Sequence, residues 1–526
     1  MDHSRRRFMQ GALAAAGAAM AAQPSWAATP KYLRANVSGR IVSARTIDSY
    51  KKAIRAMLAL PPTDPRNWYR IALTHLLDCP HGNWWFLPWH RGYLGWFEQQ
   101  CRELSGDADF ALPYWDWTVE PRIPAVMFDD VLNPENEAFI ASFAAFKAKF
   151  EDPISKLDYW RRVTKPDGSF DDRTPYGQIL IRQTRFPADI WFDLIDNPHT
   201  GKLFCDAGET RSLTKQKPDL DADTQKAVAK NTVLDALSPR DFITFGSPKA
   251  RGHSALVGFG VLEGMPHNLV HNAIGTPVGF MSNNFSPIDP IFFLHHGNID
   301  RLWDLWTRKQ LARGYPTLPD GYLLPEGDAR KASDYAKWSD EPFLFFTDAK
   351  GTLVPKTTAA DYAEIGAFDY WYEPGTGEEL VGTPALVAFG NAAPIEKASA
   401  SAIDKSISAD APARARVTLP MGLREETPKT VLAFITVDTP PGPGDRWDVY
   451  VGEGAAQHVA TLSMFGNHGV HVGTPVTFTV PISSPAKRLV SGGQSIEIRL
   501  RARSAPSQAH GSGPSMTAVR VESVAN

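Results

Sequence analysis

Three cysteines in 526 residues, Cys79, Cys101 and Cys205, are too few for a disulfide framework. A surplus of one charge is also lacking. Lys and Arg number 55 and Asp and Glu 58, a net of −3, and no basic block follows the N-terminus, so nucleic acid is not an indicated partner. No apolar run approaches the roughly 20 residues of a membrane span. The absence closest to chemistry concerns the histidines. No carboxylate sits at ligand spacing among His75, His81, His90, His267, His271 and His296.

What is present begins with a leader. Ser4-Arg5-Arg6-Arg7-Phe8-Met9-Gln10 is a twin-arginine pattern, Gly11 to Ala22 is weakly apolar, and Ser25-Trp26-Ala27 suits cleavage. Residues 1–28 read as an export signal for the twin-arginine machinery, which puts the mature protein in the periplasm or outside the cell. The rest, 43% hydrophobic and 21% charged, has the composition of a globular protein.

Thr46 to Leu60 reads as an amphipathic helix. A second is expected from Asp64-Pro65, with Trp68, Ile71 or Ala72, and His75 on one stripe. A tight segment, Cys79-Pro80-His81-Gly82, and an aromatic run, Trp84 to Trp89, lead to His90. From there Leu94, Phe97, Cys101 and Leu104 continue at helical spacing. The stretch Glu263–Trp306 repeats the plan. Pro266 suits a helix's first turn, His267 and His271 are spaced i,i+4, and Ile291 to Leu294 deliver His295 and His296. Ile299, Trp303 and Trp306 then put His296 on an inward stripe.

Two helix pairs facing one another predict a mainly α fold. An antiparallel four-helix bundle would hold two three-imidazole metal sites in its core, with long loops over 130–250. The tail changes period. Short alternating runs at 416–419, 431–437, 447–451, 476–480 and 495–500 predict a C-terminal all-β, sandwich-like domain. The division expected is 29–390 for the metal-binding domain, 391–413 for a linker centred on the Ala/Ser-rich stretch Ala398–Ala413, and 414–526 for the β domain. His458, His468 and His471, in that tail, read as surface or structural residues.

Neutral imidazole suits zinc, copper, iron and nickel. Catalytic zinc commonly adds a carboxylate to its ligands, so two all-imidazole sites side by side favour a copper pair, with a binuclear zinc hydrolase as the alternative.

The motif His75…Cys79-Pro80-His81…Phe86-Leu87-Pro88-Trp89-His90-Arg91 resembles the first copper motif of the tyrosinase, catechol oxidase and molluscan haemocyanin superfamily. His267-Asn268-Leu269-Val270-His271 with Asp289-Pro290-Ile291-Phe292-Phe293-Leu294-His295-His296…Asp300-Arg301 resembles its second. Tyr370-Trp371-Tyr372 resembles the tyrosine motif that closes the central domain in related enzymes. The interval from His75 to His81 is shorter than in most relatives.

The resemblance implies two copper ions, with His75, His81 and His90 on one, His267, His271 and His296 on the other, and His295 beside them without ligating. It implies small phenols and dioxygen as partners, ortho-hydroxylation of monophenols, and oxidation of o-diphenols to o-quinones. A catechol or o-aminophenol oxidase lacking monophenol activity and a haemocyanin-like dioxygen carrier are the alternatives, and a homo-oligomer stays open. By the same resemblance Glu263 and Asn268 hold the water that takes the phenol proton, and Cys79 and His81 match a pair that some relatives join as a thioether. Asn284 falls near the substrate gate over the second copper. The β domain is expected near the copper entrance, restraining activity until cut or loosened.

Overall fold

Ser43 accepts a hydrogen bond from the Thr46 amide and so caps the first long helix, α1 (Ala44–Ala59), which buries Tyr50, Ile54 and Met57. The structure, a computed structural model, describes residues 30–526 apart from 183–190, 192–194, 198–200, 277–278, 320–328, 356, 382–396, 405, 420–428, 440, 442–444, 453–455, 466–474, 484–494, 505–513 and 526. The export signal, His468 and His471 lie outside the described residues.

α2 (Trp68–Asp78) starts later than the Asp64-Pro65 signal indicates, because Asn67 is its cap and accepts from the Tyr69 amide. α3 (Phe86–Ser105) begins in the aromatic run itself, so His90 sits inside the helix rather than opening it. Its end is marked by Gly106 in the left-handed conformation (φ 71°). α4 (Asn268–Gly275) and α5 (Ile291–Ala312) form the second pair.

Before α4 the chain is already helical, and residues Glu263–His267 form a wide π turn with Pro266 inside it. Pro266 therefore does not sit in a first turn. A proline cannot donate to the carbonyl four residues back and crowds it, and the widened turn relieves both problems. The π turn sets the register of His267 against His271.

α3 and α5 lie together through the parallel rings of Phe97 and Phe293, 3.6 Å apart at 11°. Beneath them runs a buried ionic network. Arg91, next to His90, donates to Asp300 Oδ1 (2.7 Å), and Arg34 donates to Glu98 (2.8 Å). Two short parallel strands, β1 (Tyr32–Arg34) and β3 (Tyr370–Tyr372), deliver the phenols of Tyr370 and Tyr372 to Asp300 Oδ2. Burial would raise the Asp300 carboxyl, but Arg91 and Arg34 outweigh it and keep the group ionised. The two histidine-bearing helices are thus tied by charge as well as by packing. Short helices such as Phe143–Ser155 and Lys230–Leu237 punctuate the connection between the pairs.

The C-terminal part is a β domain. Its strands are β4 (Lys397–Asp404), β5 (Ala413–Thr418), β6 (Lys429–Val437), β7 (Trp447–Val451), β8 (Gln457–Leu462), β9 (Val476–Pro481), β10 (Ser495–Ala502) and β11 (Met516–Ala525). They pair in the order β8-β7-β10-β5-β4-β11-β6-β9, and β2 (Gly258–Phe259) from the helical part adds in parallel to β9. Two sets of strands, β8-β7-β10-β5 and β11-β6-β9, are joined into one hydrogen-bonded ladder through β4. That strand pairs with β11 over residues 397–399 and, past an irregularity between Ala400 and Ala402, with β5 over the rest.

Part of the segment expected as a linker, 391–413, is a strand. Lys397 to Asp404 is the strand that joins the two halves of the ladder, and its Ala/Ser alternation is strand periodicity with small side chains. Gly258 permits the junction with β2, since a Cβ there would lie 2.3 Å from the Thr477 carbonyl oxygen.

Candidate metal centre

Two groups of side chains converge between the helix pairs: His75, Cys79, His81 and His90, and His267, His271, His295 and His296. In each group one ligand-type atom of every member lies within 4.8 Å of those of the others. The described residues therefore bring together all six histidines expected as ligands.

Hydrogen bonds fix which ring nitrogen faces inward. His75 Nδ1 lies 2.8 Å from the Asn284 carbonyl oxygen, His90 Nδ1 2.7 Å from that of Phe86, and His271 Nδ1 2.7 Å from that of Met281. A carbonyl only accepts, so each Nδ1 carries the proton and each Nε2 offers a lone pair. His267 Nδ1 meets Asn268 Oδ1 at 2.9 Å, with the same result, because the Asn268 amide nitrogen is committed to the Ser463 carbonyl (3.0 Å).

The Nε2 atoms of His271 and His296 are 3.2 Å apart, and His267 Nε2 is buried without a hydrogen-bond partner. Nitrogens 3.2 Å apart are spaced as two ligands of one metal ion are at about 2 Å from each, so the donor set fits a bound metal. Burial pushes His267 down to about 3, and drives His90, His271 and His296 well below the ordinary imidazole value. Neutral rings are what metal ligation needs.

His295 is held the opposite way. Trp117 Nε1 donates to its Nδ1 at 3.2 Å, which leaves the proton of the neutral ring on Nε2 and removes the inward lone pair. Burial also lowers its basicity. Trp117, 178 residues away along the chain, was not legible as its partner.

The Cys79–Asn83 turn is braced from several sides. Gly82 is left-handed (φ +64°), and a Cβ there would meet Leu256 Cδ1 at 2.3 Å. Its amide donates to Glu263 Oε1 (2.7 Å), and its carbonyl accepts from the amides of Val257 and Gly258. The other Glu263 oxygen accepts from the Ser247 hydroxyl. Burial pushes the Glu263 carboxyl up to about 8, against these two hydrogen bonds, which favour the ionised form. Cys79 Sγ is 3.6 Å from both ring nitrogens of His81 and 3.3 Å from His90 Nε2. Asn284 bears on the first group through its main-chain contact with His75, while its side-chain Oδ1 is buried without a partner.

One residue at the site was missed in the sequence. Phe465, just past β8, is buried with its ring 4.0 Å from that of His271, 4.9 Å from His81 and 5.5 Å from His267. α4 grips the segment that carries it. Asn272 donates to Ser463 Oγ (2.8 Å) and to the Met464 carbonyl (2.9 Å), and Asn268 to the Ser463 carbonyl. His458, by contrast, is half-buried beside Asp448 (3.3 Å), away from both groups.

Six imidazoles with no carboxylate in either group suit copper better than zinc. The family model for the common central domain of tyrosinase matches residues 59–309. A chloroplastic polyphenol oxidase of Vitis vinifera is 26% identical over 370 residues, which is 65% of this chain and 47% of that protein. The (+)-larreatricin hydroxylase of Larrea tridentata is 25% identical over 59% of this chain. The chain spans about half the length of the curated relatives it matches. Among solved structures, latent apple tyrosinase (TM-score 0.52, 19% identity) covers 95% of this chain and 98% of its own. Latent aurone synthase (TM-score 0.55, 19% identity) covers 94% of this chain and 90% of its own. Both share the fold from the helical core to the β domain.

Proposed function

Since the chain belongs to the tyrosinase and polyphenol oxidase superfamily, whose cofactor is two copper ions, we propose that it oxidises o-diphenols to o-quinones with dioxygen and hydroxylates monophenols at the ortho position. His75, His81 and His90 hold one copper, and His267, His271 and His296 the other. The observation that carries this reading is the convergence of Nε2 lone pairs, enforced by an oxygen acceptor on Nδ1 of His75, His90, His267 and His271. The copper pair supplies the two-electron chemistry with dioxygen. The chain supplies position, dryness and proton handling.

The ring of Phe465 marks where a phenol sits. An aromatic ring tilted against His271 and edge-on to His81 is excluded from water and faces both groups at once. A phenol takes this place only when Phe465 leaves, so the β domain restrains activity. Glu263 and Asn268 are the proton-handling pair. A phenol's pKa is about 10, so hydroxylation at neutral pH needs a base to accept its proton. Withdrawal of the Ser463 segment frees the Asn268 amide for a water.

Cys79 and His81 form a thioether. The Cys79 sulfur lies 3.6 Å from both ring nitrogens of His81, close enough to the ring to support that bond. Joining them removes the thiol hydrogen and the ring hydrogen, with dioxygen taking up the two electrons and two protons. The leader exports the protein by the twin-arginine route, and among the described residues no helix is long and apolar enough to cross a membrane.

Initial rates of copper-loaded protein on a monophenol, its catechol and an o-aminophenol test the reading. Turnover of the first two is expected. Turnover of catechol or o-aminophenol alone would reduce the enzyme to a diphenol-type oxidase.

A further inference from the structure

The segment ahead of the π turn holds a histidine that the metal chemistry does not use. His253 is 2% exposed. Its Nε2 lies 2.7 Å from the main-chain oxygen of Asp78, the last residue of α2, and its Nδ1 lies 2.8 Å from Glu341 Oε1. A carbonyl and an ionised carboxylate can only accept. With Glu341 ionised, both bonds together need a proton on each ring nitrogen, which makes the ring an imidazolium paired with Glu341.

Its surroundings suit a cation. The indole of Trp85 lies parallel at 6.0 Å and 13°, and Phe343 packs edge-on at 5.8 Å. Two anions face the ring: Glu341 and, at 3.9 Å, the Asp78 carboxylate. Of the cations near this pair, Lys337 donates to the Arg251 carbonyl and also feels the Glu341 charge, and Lys249 pairs with Asp334.

Asp78 is the point of leverage, three residues after His75 and three before His81. Its carboxylate also accepts from Trp89 Nε1 (2.7 Å), next to His90. At the far end of the same turn, Asn83 Nδ2 donates to the His253 carbonyl (2.8 Å). The chain at 253 thus grips both ends of the turn that carries His81.

We propose that His253 is a positioning residue for the first copper. Held between Glu341 and the Asp78 carbonyl, it keeps the Asp78–Asn83 turn in the conformation that presents His81 beside His75 and His90. The inference rests on the ligand set proposed above. The clamp is complete only while the ring carries both protons, so raising the pH through the ring's ionisation weakens the first site and leaves the second unchanged.

The test titrates the whole apoprotein with Cu(I) against a competing chromophoric chelator, from about pH 6 to about pH 9. Wild type is expected to bind two coppers per chain, with one site weakening at alkaline pH. His253→Phe weakens that site by at least about tenfold and leaves the other within about twofold. His253→Gln, whose amide can still donate to the Asp78 carbonyl, recovers part of the loss and has no alkaline phase. Glu341→Gln weakens the same site. In a His271→Ala background, where only the first site remains, His253→Phe removes the remaining copper. Equal weakening of both sites, or an alkaline phase retained in His253→Gln, overturns the proposal. Wild-type protein that binds copper at neither group would instead strike down the ligand assignment.

Discussion

The ring of Phe465 stands 4.0 Å from that of His271, centroid to centroid, at an angle of 38°. One residue belongs to the β domain and the other to the metal centre, so the two parts of the chain meet at the place where a substrate ring would stack. Burying a phenylalanine contributes roughly 1.5–3 kcal/mol. That is a modest barrier for a competing phenol, but it comes with the three hydrogen bonds that Asn268 and Asn272 make to Ser463 and Met464.

Removing the ring alone should therefore uncover the site. Phe465→Ala in the intact chain is expected to raise kcat/KM for a catechol by at least about tenfold with copper content unchanged, a gain of about 1.4 kcal/mol. Equal kinetics would mean that the ring does not obstruct substrate.

Cleavage gives a sharper expectation than the sequence alone did. A cut inside 398–404 falls within β4, which is hydrogen-bonded on both sides, so the domain should stay docked and turnover should not change. A cut nearer 382–396 followed by removal of the domain should raise turnover. Size-exclusion chromatography and kinetics before and after denaturant release separate the two outcomes.

Acid should loosen the same contact. Arg446 and Arg503 of the β domain pair with Asp221 and Asp223 at the short helix Ala222–Ala227, and Arg503 also pairs with Asp448. Burial would raise Asp448 and Asp221, but hydrogen bonds from His458 and Arg503 to the first, and from Arg446 to the second, outweigh it and hold both below the usual carboxylate range. Carboxylates lowered in the folded state contribute stability in full above their unfolded value, about 4, and lose it as pH falls further. Hydrogen exchange over 457–465, corrected for its intrinsic pH dependence, should keep pace with α5 from about pH 6 to about pH 4.5 and accelerate relative to it between about pH 4 and about pH 2. Parallel profiles for the two segments would contradict this.

The proton-handling role proposed for Glu263 and Asn268 predicts that their substitution separates hydroxylation from oxidation. Asn268→Gly is expected to lower monophenol turnover at least about tenfold more than catechol turnover, because a catechol's first proton is more acidic. Glu263→Gln adds a stability cost of about 1–3 kcal/mol, since one of the donors from Gly82 and Ser247 would then face an amide N–H. Equal losses on both substrates would make the pair structural.

The helix pairs were legible in the sequence because His75, His90, His271 and His296 lie within long apolar stripes that only a helix explains. Less was legible where local pattern and tertiary structure part. Pro266 reads as a helix start, yet the helix runs through it as a π turn. Ala398 to Ala413 reads as linker because the partly buried positions at its start, Ala398 and Ala400, are too small to mark a strand. Phe465 and His253 reach the centre across 194 and 175 residues, from His271 and to Asp78, and no spacing rule spans such intervals.

Metal analysis of the intact chain, joined to catechol turnover, bears most directly on the binuclear copper centre. Two coppers per chain should co-purify with activity, and His271→Ala should fall to about one copper with activity lost. Protein carrying two zincs per chain with undiminished catechol turnover would contradict it.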